Sequence, residues 1–411
     1  TERNKILLTY SAMAVILVIT AYFQSTALAL QIVTYCLISS IMALGVNIQW
    51  GYAGIFNVGI MGFAAVGGLA AVLVSVDPVE AAVAAGGKGI LISAILVALT
   101  IAVCYFVYKK MPAGRNRQLA LTAIIIVAYF IIRGYYDPAV NAIENTDAAS
   151  TGFLGGLGLP IILSGPVGGL FAAAIAWVIG KIALGLRSDY LAIATLASQF
   201  ILQDFFSRAD WFSGGAYGSA AEVVNFLGID LDTDQKPIYL VPFWVVVSFP
   251  AVSNLRRSRD GRALVAVRDH YLSAEIMGIN LTRYRIMSFG VSSFFAGLGG
   301  ALYAHYLQYV SVEGFTILLS IQFLAMIIIG GLGSVSGSLL GAIFILLLPQ
   351  FMEEIASSAA VVFEGIEQSK AYIKEMSVGA VIILFLIFEP EGLIHRWRLI
   401  RASWKLYPFS H

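Results

Sequence analysis

The sequence predicts an all-α polytopic membrane protein of ten to twelve transmembrane helices, with both termini in the cytoplasm. Three observations predict it. Of the 411 residues, 59% are hydrophobic and only 12% are charged, against about 25% charged in ordinary soluble domains. So few charges could not solvate a soluble protein of this size. Apolar runs near the ~20 residues that cross a bilayer core recur along the whole chain. The charged residues lie between those runs and separate by sign.

The runs fall at about 6–23, 28–48, 56–75, 90–108, 119–135, 161–183, 189–206, 238–253, 286–308, 315–332, 336–350 and 377–394. The first follows Arg3 and Lys5 and precedes Ala27-Leu28-Ala29, the outline of a signal peptide. It is long for a signal core and more spans follow at once, so the reading is a retained helix. The run at 189–206 is short and partly polar. Gly330-Gly331-Leu332-Gly333-Ser334 divides an otherwise continuous stretch into 315–332 and 336–350.

Placing the N-terminus in the cytoplasm and alternating through twelve spans sorts the charges. Nineteen of the 25 Lys and Arg then fall inside with seven acids, and six fall outside with seventeen acids. The formal net charge of +1 is thus a cancellation across the bilayer, about +12 inside against −11 outside. There is no bulk basic excess to suggest nucleic acid. Residues 136–160, 207–237 and 351–376 become acidic outside loops, which read as solvated faces or as docking sites for a soluble partner. Residues 254–285 become an Arg-rich inside loop.

Several chemistries are absent. Cys36 and Cys104 both sit in apolar runs, as small buried hydrophobes do. His270, His305, His395 and His411 have no metal-ligand spacing, so no metal site is expected. Gly86-Gly87-Lys88-Gly89 is the nearest approach to a phosphate loop, and it lacks the Ser/Thr and the spacing. Energised transport would therefore need a nucleotide site on another chain, or an ion gradient. Intramembrane acids mark ion coupling. Here only Asp189, Asp204 and Glu389 approach spans, all at their ends.

The inside loop carries the most information: RRSRDGRALVAVRDHYLSAEIMGINLTRYR, 256–285. A short helical stretch, Tyr271 to Met277, is stopped by Gly278, a form that suits a surface or a groove. Lipid headgroups are the simpler partner for its arginines. The segment resembles the cytoplasmic coupling loop of ABC importer permeases, specifically the LivM-type permeases of the branched-chain amino acid importers. The resemblance rests on Arg257, Gly261, Arg262, Ala263, Leu264, Ala266 and Arg268, continuing through Ala274, Glu275, Gly278, Ile279, Asn280, Arg283 and Tyr284. Further motifs similar to that family are Gly45 to Gly54, Arg187 to Ile193, Gly214-Gly215, Ser293 to Ala304, the Gly330–Ser334 break with Gly337 and Gly341, and Phe388 to Leu393. Residues 75–160 resemble an insertion carrying two extra spans within a single permease domain, 1–411. Ile60 stands where many relatives have His, and Phe200 near where many have Glu.

The resemblance implies a transport subunit of a bacterial inner-membrane importer, not an enzyme. Its partners would be a second homologous permease of LivH type, two ATPase subunits, and an extracytoplasmic solute-binding protein. No cofactor is expected on this chain; ATP and magnesium would sit on the ATPases. Arg262, Arg268, Tyr271, Ala274, Glu275, Gly278, Ile279, Asn280 and Arg283 are the expected coupling residues. Non-helical backbone inside a membrane persists only where protein or a watery cavity surrounds it. The glycine breaks therefore make Asn47, Gln49, Asn57, Gln322, Gly330, Gly331 and Gly333 candidates for the translocation path, with helix–helix hydrogen bonding as the plainer role of the four amides. The solute expected is a branched-chain or other amino acid, with urea or a short amide as the alternative. An ion-coupled secondary transporter is the rival class, and its marks, inverted repeats and intramembrane acids, are not seen.

Overall fold

In a computed structural model of the chain, residues 26–112, 114–146, 155–186, 188–214, 218–220, 236–360, 366–389 and 391–406 are described. The expected span 6–23 lies outside them, as do Arg187 and the loop acids Asp147, Glu222, Asp230, Asp232, Asp234 and Glu364.

Helix α1, Thr26–Val46, runs directly into a π-helical turn, Asn47–Tyr52. After extended backbone comes α2, Ile60–Ser75. Helix α3, Glu80–Lys110, pairs with α4, Arg115–Glu144. Then follow α5, Ile161–Ala183, α6, Ser188–Ser207, and α7, Lys236–Arg257. Two short helices come next, α8, Arg259–Asp269, and α9, Tyr271–Ile276. The chain closes with α10, Leu281–Leu307, α11, Ile317–Gly330, α12, Val335–Ala360, α13, Ile366–Phe388, and α14, Leu393–Leu406. One two-residue ribbon pairs β1, Ser219–Ala220, with β2, Tyr309–Val310.

Among the described residues six helices are long and apolar enough to cross a membrane, and α13 with α14, bent by 48°, makes a seventh if taken as one broken span. The expected spans at 56–75 and 315–332 become α2 and α11, of 16 and 14 residues. At 1.5 Å per residue these are only about 24 and 21 Å long. The lost length is the non-helical backbone of 53–59 and 331–334. Most of the segment 254–285 is helix, in α8 and α9 and the flanking turns of α7 and α10.

Small residues let the central helices approach closely. At the crossing of α2, α5 and α10, a Cβ on Gly67 would collide with the backbone of Gly297, and one on Gly297 would lie 2.5 Å from Ala172 Cβ. Helix α1 runs antiparallel to α10: Tyr306 donates to Gln31 O at one end, and Gly45 meets Ser292 at the other. Helix α5 is likewise antiparallel to α10, with Ser164 Oγ 2.8 Å from His305 Nε2 and Gly180 against Phe289. Helix α2 runs parallel to α10, with Phe63 edge-on to Phe289 at 5.5 Å.

These directions gather the loops at two ends of the bundle. At one end Pro78 pairs with Gly155, Trp211 Nε1 donates to Tyr136 at 2.7 Å, and β1 pairs with β2. At the other end Gly51, Gly54, Arg268, Gly333, Gly331 and Ile394 meet. The first set comes from loops predicted outside; of the second, Gly51, Gly54, Arg268 and Gly333 come from loops predicted inside, and Gly331 and Ile394 from the ends of the predicted spans 315–332 and 377–394.

Helices α3 and α4 stand apart from this bundle. The chain leaves it at 73–79 and returns at 155–159 along adjacent backbone, where Leu157 N donates to Leu73 O and Leu159 N to Val74 O, both at 2.8 Å. Between these points the two helices pack mainly on each other, through Gly86, Gly89 and Ala139.

Candidate functional site: the α8–α9 segment and the broken-helix junction

The segment starts with a cap. Ser258 Oγ accepts from Gly261 N at 3.1 Å, satisfying a free donor at the start of α8. Leu264 and Val267 are buried against the bundle. Tyr284 donates to Asp260 Oδ1 at 3.2 Å, tying α8 to the start of α10.

Helix α9 ends in a Schellman turn. Gly278 has φ 84°, Gly278 N donates to Glu275 O at 2.9 Å, and Ile279 N donates to Ala274 O at 3.0 Å. That pattern satisfies the last carbonyls of the helix and needs a residue at positive φ. Ala274 is buried beneath it. Asn280 then caps α10, accepting from Arg283 N at 3.0 Å. Six of the expected coupling residues, Ala274, Glu275, Gly278, Ile279, Asn280 and Arg283, thus form one stop-and-restart device.

The face this device presents is apolar. Tyr271 and Leu272 are exposed, Ile276 is 86% exposed and Met277 81%. Large apolar side chains so exposed, on the end of the molecule that holds the Arg-rich segment, mark an interaction site. Leu272, Ile276 and Met277 were absent from the sequence-based set, although the run Tyr-Leu-Ser-Ala-Glu-Ile-Met shows them at neighbouring positions of a single turn. Glu275 lies among them, also exposed.

Two exposed arginines bond back to the chain, and of these Arg268 reaches the bundle. Arg262 Nη1 donates to Arg257 O at 3.0 Å. Arg268 Nε donates to Asp269 Oδ1 at 2.8 Å, and its Nη1 donates to Gly51 O in the π-helical turn. Its methylenes pack on Gly54, where φ is 68° and a Cβ would lie 2.8 Å from Arg268 Cγ.

Behind Arg268 the two glycine breaks are joined. Asn47, 1% exposed, accepts from Gly333 N at 2.8 Å and donates to Ser334 O at 2.8 Å and Ser338 Oγ at 2.9 Å. Gly51 has no side chain to spare here, because a Cβ would meet Gly333 N at 2.6 Å. The π turn widens the helix where these contacts form, a feature often found at functional sites. Gly330 packs on Gly337, and Gly331, at φ 109°, on Ile394.

Gln49 and Asn57 form a second knot. Asn57 Nδ2 and Ser292 Oγ both donate to Gln49 Oε1, at 3.2 and 3.0 Å, and Gly59 N donates to Asn57 Oδ1 at 2.8 Å. Gln49 Nε2 is buried with no hydrogen-bond partner among the described residues. A third knot holds the starts of the half-length helices. Gln199 Nε2 donates to Phe315 O, Ser320 Oγ donates to Gln199 Oε1, both at 3.1 Å, and Met61 N donates to Ser320 Oγ at 3.3 Å. Thr195 Oγ1 accepts from Val58 N at 3.3 Å. These side chains satisfy helix-start donors that have no intrahelical partner. Gln199, Ser320 and Thr195 were missed from sequence, since nothing local distinguishes them. Gln322 lies half-buried on α11, and Phe200 is exposed beside the buried Gln199. No group of His, Cys, Asp and Glu among the described residues could hold a metal ion.

The geometry is an exposed apolar helix end joined through an arginine to two broken helices. The family described as "Branched-chain amino acid transport system / permease component" matches residues 139–386. The chain belongs to that family. Among its relatives is the high-affinity branched-chain amino acid transport system permease protein LivM of Escherichia coli (strain K12), 27% identical over 72% of this chain and 69% of the relative. A probable branched-chain amino acid transport permease protein LivM of Methanocaldococcus jannaschii is 25% identical over 68% and 82%. The LivH permease of Escherichia coli (strain K12) is 24% identical over 70% and 91%. No solved structure matches the chain. As a permease of this family it is a multi-pass membrane protein and a transport subunit. The family match begins at Ala139, so α3 and most of α4 lie outside it.

Proposed function

We propose that this chain is the LivM-type subunit of an ATP-driven importer in a bacterial inner membrane, with its termini and its α8–α9 segment in the cytoplasm. It pairs with a LivH-type permease. Of two ATPase subunits holding ATP and magnesium, one docks at α9, and an extracytoplasmic binding protein delivers the solute. The solute class is branched-chain or other amino acids, as the names of the relatives suggest.

The observation that carries this reading is the exposed Ile276–Met277 end of α9 with Arg268 behind it. An apolar knob of this kind fills a groove on a partner. Movement of that partner shifts α9 and α8 as a rigid pair, and Arg268 passes the shift to Gly51 and, through Asn47, to the 331–334 break. Rigid elements meeting at a hinge are a recognised form of switching.

The test is reconstitution in proteoliposomes of the chain, its partner permease and the ATPases. Uptake of a radiolabelled branched-chain amino acid, presented on its binding protein, is expected only with ATP inside the compartment that faces the ATPases. Full uptake without any ATPase would overturn the reading. If uptake is ATP-dependent but selects urea or a short amide, the importer stands and the amino acid assignment falls.

A further inference from the structure

Helices α3 and α4 enclose a groove of about 370 Å³ on the hairpin's surface. Leu99, Thr100 and Val103 line one side, and Ala123, Val127 and Ile131 the other. Thr100 Oγ1 already donates to Leu96 O at 2.7 Å, so the groove offers no free polar group and does not suit a polar solute. We infer that this groove and the basic turn beyond it form a binding site for one anionic phospholipid, the acyl chain in the groove and the phosphate at Lys110 and Arg117.

The phase of the two helices supports the placement. Residues three and four apart share a helix face. Continuing the groove stripe from Val103 leads to Phe106 and Lys110, and continuing it from Ala123 and Ile124 leads to Ala120 and Arg117. Lys110 is about 10 Å beyond Val103 at 1.5 Å per residue, a span that suits a glycerol backbone between groove and phosphate. Lys110 Nζ stands 5.2 Å from the Phe106 ring centre, and the Arg117 guanidinium 4.6 Å from that of Tyr108 on the facing helix. Lys109 and Arg115 add to the patch, and the chain has no acidic residue between Glu80 and Asp137. A basic, aromatic-flanked mouth on an apolar groove complements a negative headgroup.

A partner helix is the other conceivable occupant, and the lining argues against it. Close helix contacts in this chain use glycine and alanine, as at Gly67, Gly168 and Gly297, or Gly86 and Ala139. The groove has Thr100, Ala123 and Ala128 in its lining but no glycine, and it exposes Leu99, Val103, Val127 and Ile131, whose bulk holds a helical backbone away but leaves room for a chain of methylenes.

The inference rests on the membrane reading and not on the transport direction or solute. Its test is native mass spectrometry of the purified full-length chain, delipidated and incubated with phosphatidylglycerol or phosphatidylcholine. One phosphatidylglycerol is expected to survive activation, and phosphatidylcholine is not. The double variant Lys110→Gln/Arg117→Gln should lose about tenfold of that retention. Ala123→Phe, which fills the groove without touching the charges, should lose it to a similar degree, with circular dichroism unchanged in both. Equal retention of the two lipids, or a filled groove that retains phosphatidylglycerol fully, overturns the site. So does a photo-crosslinker at Leu99 that captures a polypeptide in native membranes in place of lipid.

Discussion

At Gly278 the backbone conformation is the whole requirement. A Cβ there meets nothing within 4 Å, but φ is 84°. Gly278→Val should therefore cost about 1–2 kcal/mol locally and unwind the end of α9 while the bundle stays folded. ATP-driven uptake should fall steeply in proteoliposomes, and Gly278→Asn, which tolerates positive φ, should restore part of it. Asn47 is the opposite case, a side chain with three partners in a buried place. Asn47→Leu leaves Gly333 N without its acceptor, at about 1–3 kcal/mol for a buried group left unpaired, while Ser334 O still accepts from Ser338 N and Ser338 Oγ. The expected outcome is a clear fall in thermal stability in detergent; an unchanged melting temperature would remove Asn47 from the junction. Polar residue type and a neighbouring glycine break singled out Asn47 in the sequence. Its partners lie more than 280 positions away, and no local pattern points to them. Arg268 shows the same limit: an arginine in an Arg-rich stretch reads as a surface charge until Gly51 O is placed against it.

Helices make a different demand, which is fit along their length. The crossing of α2, α5 and α10 works because Gly67, Gly168 and Gly297 coincide. Gly67→Leu forces these helices apart and should destabilise by more than about 3 kcal/mol, beyond ordinary overpacking, because the obstacle is backbone. Failure to purify as a single monodisperse species would be the readout, and a well-behaved variant would contradict the crossing. Helix types and most helix positions were legible from apolar runs. Their lengths were not, because α2 and α11 give up turns to glycine breaks whose depth depends on distant partners such as Thr195 and Ser320. Helix α8 was hidden for another reason: it is short and charged, and its Ser258 cap and buried Leu264 become meaningful only with the bundle beneath them.

Across the whole molecule, charge separation and packing agree on which loops share an end. The sign pattern predicted two sets of loops, and the contacts at Pro78–Gly155 and at Arg268–Gly51 keep those sets apart. The positive-inside rule predicts that the Arg268 end faces the cytoplasm. Single cysteines test it: Ser273→Cys should react with a membrane-impermeant maleimide only from the cytoplasmic side, and Leu157→Cys only from the opposite one. Labelling of both from one side would contradict the topology. The same view sets apart α3 and α4, which leave and rejoin the bundle at one point and so can carry a separate property, such as the lipid site, without disturbing the broken-helix junction.

In the proposed importer, the ATPase grips the exposed end of α9. The most direct measurement is co-purification of the ATPase with an Ile276→Asp/Met277→Asp variant of this chain. Both side chains are more than four-fifths exposed, so the fold should be untouched and the partner permease retained. The ATPase seated on this chain should be lost, and uptake with it. Retention of the ATPase in wild-type proportion, with uptake unchanged, would contradict that docking.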